Sequence, residues 1–271
     1  MRGSLLHHPR AAWLTHGLLA AMLLGYYALL IWAPLWLAFV PGVLLAHRIG
    51  IMGHEYIHGI PFAKHRHCLW VIAALDGVML LFGVYELYRG MHLAHHRWLN
   101  GPGDPAAEHE QRAEPQRGLW TLLGSGEVAK HLRVLVEGLR GRHPYARAHR
   151  ICLGAALSVA WVGLWWALGR PDVAWKCALI VAATTAGPAS LRAAIEHSSH
   201  RGDPGFANEY EVLIPLFNLN KHVHHHLEPG LPWYLLEYKT ARPLAWSHYF
   251  THWFRVHVRR DFQRMRPMSG D

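Results

Sequence analysis

Four stretches of the chain are apolar for long enough to cross a bilayer core as helices, which takes roughly 20 residues. They are residues 13–32, 35 to about 52, 151–168 and 173 to about 194. Pro34 sits in the tight link between the first two, and Gly169, Arg170, Pro171 and Asp172 form the link between the last two. Pro and Gly at such places end one helix and turn the chain into the next. The pattern therefore predicts two helical hairpins. A fifth apolar stretch, 69–84, is shorter and contains Asp76. A carboxylate inside a span costs about 2.5–3.5 kcal/mol on insertion scales. This stretch is expected to lie at the interface or to re-enter the membrane without crossing it.

Charge sets the orientation. Lys and Arg concentrate in the N-terminal tail, in 89–150 and in 255–266, while the two hairpin links hold almost none. The positive-inside rule then puts both termini and the long middle loop in the cytoplasm. Residues 1–10 carry two Arg and two His before an apolar run, like the start of a signal peptide. The run that follows is too long for a typical signal core and leads to no convincing small-residue cleavage site, so it is read as a retained first span. The expected architecture is all-α: an integral-membrane bundle of four transmembrane helices with a cytoplasmic histidine-rich cap and interfacial helices. No composition break divides residues 1–271, which are read as a single domain.

Composition agrees. Hydrophobic residues make up 52% of the chain and charged residues 17%, below the quarter or so that soluble domains carry. Thirteen Trp and ten Tyr suit membrane–water boundaries. The net charge of +9 would suit nucleic acid or an anionic membrane surface. No zinc finger, aromatic RNA-binding signature or long basic stripe accompanies it, so nucleic acid is not expected. Cys68, Cys152 and Cys177 are widely spaced and read as reduced thiols without a disulfide framework.

The chain has 24 His, and they cluster. His54 and His58 stand four apart at the end of the second span, on one helix face. His92, His95 and His96 have i, i+3, i+4 spacing and can face one point. The same arithmetic selects His222, His225 and His226 and turns His224 to another face. His197 and His200 end the fourth span. All fall on the side that the charges make cytoplasmic. Eight or nine imidazoles exceed what one metal takes, and zinc sites use three or four protein ligands. Two ions of a metal that suits imidazole, iron before zinc, fit better. The scattered His7, His8, His16, His47, His109, His131, His143 and His149 read as interfacial. His65 and His67 follow the first cluster closely, and a place near the metals stays open for them beside the interfacial reading. His248 and His252 share the four-residue spacing but lie among Trp246, Tyr249, Phe250, Trp253 and Phe254, as an amphipathic interfacial helix would.

Gly53-His54-Glu55-Tyr56-Ile57-His58-Gly59, then His92-Leu93-Ala94-His95-His96-Arg97 with Gly103-Asp104-Pro105 after it, then Asn218 to His226 followed by Pro229-Gly230-Leu231-Pro232-Trp233-Tyr234, resemble the three histidine boxes of the membrane fatty-acid-desaturase superfamily. The Pro-x-x-Pro-Trp tail looks like that of bacterial desaturases and carotenoid ketolases. The resemblance covers about residues 35 to 240. It implies that the eight box histidines bind two iron ions, with a ninth ligand from Glu196-His197-Ser198-Ser199-His200; Glu-His favours His197, and His200 stays open. Glu196 would be a ligand or orient one. Asn218 and Asn220 would orient imidazoles or cap the helix of the third cluster.

The activity implied is O2-dependent desaturation of a fatty acyl chain. The alternatives are hydroxylation or ketolation of a carotenoid, alkane or sphingolipid, and a membrane protein that binds metal without oxidation. The chain has no cytochrome module, no GxGxxG and no Cys-rich iron–sulfur pattern. A separate ferredoxin or cytochrome is therefore expected to supply electrons. Substrate identity and oligomeric state are not legible.

Overall fold

The computed structural model describes residues 9–62, 64–99, 103–104, 135–143, 145–189, 192, 196, 207–212, 217–240, 242–243, 245 and 251. Among the described residues the helices are α1 (Pro9–Trp32), α2 (Leu35–Ile57), α3 (His65–Val78), α4 (Val84–Trp98), α5 (Ala148–Ala167), α6 (Pro171–Thr184) and α7 (His222–Leu227). Among the described residues there is no β-strand, only an isolated antiparallel bridge between Glu209 and Lys221. The chain forms two compact units, Met1–Leu93 with His131–Thr185 and Ala94–Lys130 with Ala186–Asp271.

In the first unit α1 packs on α2, α2 on α3 and α6, and α3 along α5. Three helical stretches, Ala12–Trp32, Leu35–Ile57 and Ala148–Ala167, are long and apolar enough to cross a membrane. The expected fourth span is shorter as α-helix: α6 has 14 residues, about 21 Å at 1.5 Å per residue, and passes into a π-helical turn, Thr185–Ala189, containing Pro188. Pro removes a backbone donor, which accounts for the break in the regular ladder.

The two links are joined to each other. The last carbonyls of a helix lack intrahelical partners. Arg170 Nη2 donates to Ile31 O at 2.8 Å, and Lys176 Nζ donates to Leu30 O at 3.0 Å and Ala33 O at 3.1 Å. Trp32, Trp36, Trp166 and Trp175 stand exposed close to these links, where indole rings favour a membrane–water boundary.

The stretch with Asp76 becomes α3, which starts at His65, and a tight reversal into α4. It packs against α2 and along α5. Leu80 and Phe82 adopt φ of 51°, and Gly83 adopts φ of 87°. Left-handed backbone is unfavourable for a bulky residue, so neighbours must hold it. Ser158 Oγ donates to Asp76 O at 2.8 Å and accepts the Phe82 N–H at 3.0 Å. Tyr27 donates its hydroxyl to Val78 O and accepts from Trp161 Nε1. Asp76 Oδ1 accepts the Tyr85 N–H at 2.9 Å, so a carboxylate on α3 serves one of the partnerless donors that open α4.

Further along α4, Arg89 grips Glu86 through two contacts of 2.6 Å and also donates to Tyr145 O. Glu86 accepts the Arg147 N–H at 3.3 Å. This buried ion pair ties the approach to α5 onto the helix that carries the second histidine cluster. His143, expected at the interface, is buried and accepts the N–H groups of Tyr145 and Ala146. His47 is buried as well.

In the second unit, α7 is a six-residue helix held by its flanks. Lys221 Nζ donates to Leu236 O at 2.9 Å. Glu209, 2% exposed, accepts the N–H groups of Lys239 and Thr240 and the Thr240 hydroxyl. A buried carboxylate is tolerated only when its oxygens are satisfied in this way.

Candidate metal centre

α2 ends by presenting His54 and, at its C-cap, His58. α4 presents His92 in the same unit. His54 Nε2 lies 2.7 Å from His92 Nε2, His58 Nε2 lies 2.9 Å from His92 Nε2, and His58 Nε2 lies 3.3 Å from His54 Nε2. Their candidate ligand atoms thus belong to a set lying within 4.8 Å of one another.

Hydrogen bonds alone cannot satisfy such a triangle. Each contact between neutral rings needs one N–H facing one lone pair. Three nitrogens with two available states must set like against like at one contact or more. A cation at the centre makes all three lone pairs useful. Desolvation pushes His58 down to about 3, which keeps it neutral, the form that binds metal. The residues of the first unit therefore fit a metal ion.

The second unit holds the other imidazoles. His95 and His96 lie in the last turn of α4, and His222, His225 and His226 lie on α7. His96 Nε2 is 3.0 Å from His225 Nε2, and His95 Nε2 is 3.4 Å from His226 Nε2. The rings of His222 and His226 stand 4.4 Å apart. His224 is turned away from these, as its spacing predicts, and its Nδ1 accepts the Glu237 N–H at 2.9 Å.

Partners orient several rings. Asp104 Oδ2 lies 2.8 Å from His95 Nδ1. An ionised carboxylate only accepts, so the hydrogen sits on Nδ1 and Nε2 offers its lone pair. Carboxylate–imidazole pairs of this kind raise ligand basicity. Glu196 Oε1 accepts the Tyr210 hydroxyl at 2.8 Å, and Glu196 Oε2 stands 3.7 Å from His222 Nε2. Burial pushes Glu196 up to about 7, against the pull of Arg192 and the Tyr210 hydroxyl.

Asn220 does not cap α7. Lys221 occupies the N-cap, and Asn220 Nδ2 donates instead to Tyr210 O at 2.7 Å and Tyr238 Oη at 2.8 Å. It braces the strip behind the cluster. Asn218 takes left-handed backbone, φ 58°, and its carbonyl receives the Lys221 N–H; no imidazole contact of its side chain is recorded among the described residues. His65 and His67 are exposed, and His67 packs its ring on Phe62. His197, His200, His248 and His252 lie outside the described residues.

Asp104 and Tyr210 carried no role in the sequence reading. Asp104 had a usable signal, an acidic residue in a Gly-Pro-Gly-Asp-Pro turn just after the second cluster. Tyr210 had none.

A sequence model described as Fatty acid desaturase matches residues 31–256. No curated protein and no solved structure matches the chain. The match takes in all three histidine clusters and most of the chain, and the protein belongs to the fatty acid desaturase family.

Proposed function

We propose that this desaturase-family chain is a multi-pass membrane enzyme that binds two iron ions and introduces a double bond into a fatty acyl chain of a lipid. It would use O2 and electrons from a separate ferredoxin or cytochrome. The observation that carries the reading is the triangle of His54, His58 and His92 Nε2 atoms, set in a chain of this family.

One ion would be held by that triangle. The remaining box histidines, His95, His96, His222, His225 and His226, would serve the other ion and complete the set, with His197, or His200 in its place, as the ninth ligand. Bound iron would supply the activation of O2 and the removal of hydrogen from an unactivated CH2.

The chain's own residues do the rest. Asp104 keeps His95 in the tautomer that presents Nε2. Glu196, with Oε2 3.7 Å from His222 Nε2, stands near enough to bias the orientation of that ring by its charge. Burial of His54, His92, His95, His222 and His225 excludes water from the ligand atoms, as oxidation of an apolar substrate requires. α6 with its π turn would complete a fourth crossing, and the distribution of Lys and Arg would put both termini and the histidines in the cytoplasm.

The test is mass spectrometry of lipids and pigments from a host expressing the chain. A lipid lighter by two hydrogens, absent from a host expressing His92→Ala, is expected. Products heavier by one oxygen would replace desaturation with hydroxylation. Unchanged lipids and pigments, with metal still bound to the purified protein, would leave a metal-binding protein without this activity.

A further inference from the structure

Tyr85 joins the two helices that supply His54, His58 and His92. Its side chain is 7% exposed, and its hydroxyl donates to Gly50 O on α2 at 2.9 Å. Gly50 lies one helical turn before His54. The ring fills the space beside Gly53, the residue directly before His54. A Cβ built on Gly53 would stand 1.9 Å from the Tyr85 hydroxyl oxygen and 2.7 Å from Cζ. A non-bonded carbon cannot stand 1.9 Å from an oxygen or 2.7 Å from a ring carbon, so glycine at 53 and tyrosine at 85 depend on each other.

Tyr85 is also fixed from behind. Asp76 Oδ1 holds its N–H at 2.9 Å. Along α4 the Tyr88 ring stacks on Tyr85, centroids 6.1 Å apart at 26°, and the His92 ring stacks on Tyr88, centroids 5.6 Å apart at 26°. A continuous file of side chains therefore runs from the α2 backbone to one corner of the imidazole triangle. Small residues at a helix crossing let the backbones approach closely. The triangle's contacts, 2.7 to 3.3 Å, leave little room for either helix to slide.

We infer that Tyr85 is a positioning residue for a metal ion shared by His54, His58 and His92: by keying into Gly50 and Gly53 it sets the approach of α2 to α4. It acts through the two helices. The inference rests on the reading that these three imidazoles bind one ion.

Co2+ is a suitable probe, added to the full chain purified in detergent, with affinity and the visible ligand-field spectrum as readouts. His92→Ala identifies the component of binding that belongs to the triangle. If His92→Ala binds Co2+ as the parent does, the shared ion is lost and the role of Tyr85 with it. Where that component exists, Gly53→Ala is expected to weaken it roughly 10- to 100-fold, the range seen when outer partners of metal ligands are removed, and to shift its spectrum. Tyr85→Phe, which loses only the bond to Gly50, weakens it less and shifts the spectrum in the same direction. In a Tyr85→Leu background, Gly53→Ala costs nothing further, because the space is already open. Equal losses from Gly53→Ala in both backgrounds would overturn the role of Tyr85 and leave the shared ion standing. So would parental affinity and spectrum in Tyr85→Phe, which decides the matter alone if Gly53→Ala does not fold.

Discussion

Asp104 holds His95 by its far ring nitrogen: Oδ2 lies 2.8 Å from Nδ1, with the carboxylate 0% exposed and the imidazole 4% exposed. Removing the carboxylate frees the ring to rotate and to place its hydrogen on Nε2, where the lone pair is needed. Asp104→Ala is therefore expected to lower metal affinity in the second unit by roughly 10- to 100-fold without preventing membrane insertion. Metal analysis of purified protein, alongside a membrane-extraction assay, checks this. Parental metal content in the variant would reduce Asp104 to a loop fastener.

Histidines in the clusters and histidines outside them should part company. His95→Ala and His225→Ala are each expected to abolish oxidation while the protein still reaches the membrane, because both residues lie outside the three apolar helices. His248→Ala, at a position with four-residue spacing to His252 but an aromatic neighbourhood, is expected to keep most activity. Product yield per unit of membrane-extracted protein is the measurement. An inactive His248→Ala would bring the C-terminal segment into the site.

Much of this was legible because the physics is local. Apolar length and the Pro34 and Gly169–Asp172 links mark where α1, α2, α5 and α6 run, and the spacing on α7 sets His224, whose Nδ1 takes the Glu237 N–H, apart from His222, His225 and His226. What escaped depends on distant chain. Leu80 and Phe82 take left-handed backbone that their own preferences oppose, held there by Ser158 and by Asp76 through the start of α4. Asp104 meets His95 across nine positions, a separation that matches no helical spacing. His143 is expected at the interface as a lone polar ring, yet it is buried and accepts the Tyr145 and Ala146 N–H groups ahead of α5. Asn220, expected to orient an imidazole or to cap α7, donates its Nδ2 to Tyr210 O and Tyr238 Oη, partners that no local spacing signals.

Asp76 makes stability depend on pH. Burial pushes its carboxyl up to about 7, against the pull of the Tyr85, Glu86 and Gly83 backbone N–H groups. In the unfolded chain the group titrates near the ordinary value of about 3.9. Between those values the folded chain holds a proton that the unfolded chain has released, so folding is favoured at low pH and loses this advantage as pH rises through 7. The apparent melting temperature in detergent is expected to fall between pH 5.5 and pH 8. In Asp76→Asn, neutral at every pH and still able to accept the Tyr85 N–H, that part of the fall should vanish. An identical pH profile for parent and variant would remove Asp76 as its source.

The same carboxyl explains why residue 154 is glycine. α5 passes close to α3 there, and a Cβ on Gly154 would stand 2.6 Å from Asp76 Oδ2 and 2.9 Å from its Cγ. The obstacle cannot swing away freely, because Oδ1 is held by the Tyr85 N–H at 2.9 Å. Gly154→Ala gains helix propensity of about 1 kcal/mol but must push α5 from α3 or pull the carboxyl from α4. Overpacking of a tight site costs about 1–3 kcal/mol, so the net change is destabilising, and it is read as a lower melting temperature with some loss of metal bound by the first unit. Shortening the obstacle shrinks the loss. In an Asp76→Ala background the Oδ2 and Cγ contacts are gone and the Asp76 Cβ remains close, at 3.0 Å, so Gly154→Ala should there cost clearly less than in the parent. A Gly154→Ala loss of the same size in both backgrounds would mean that something other than the carboxyl keeps this position small.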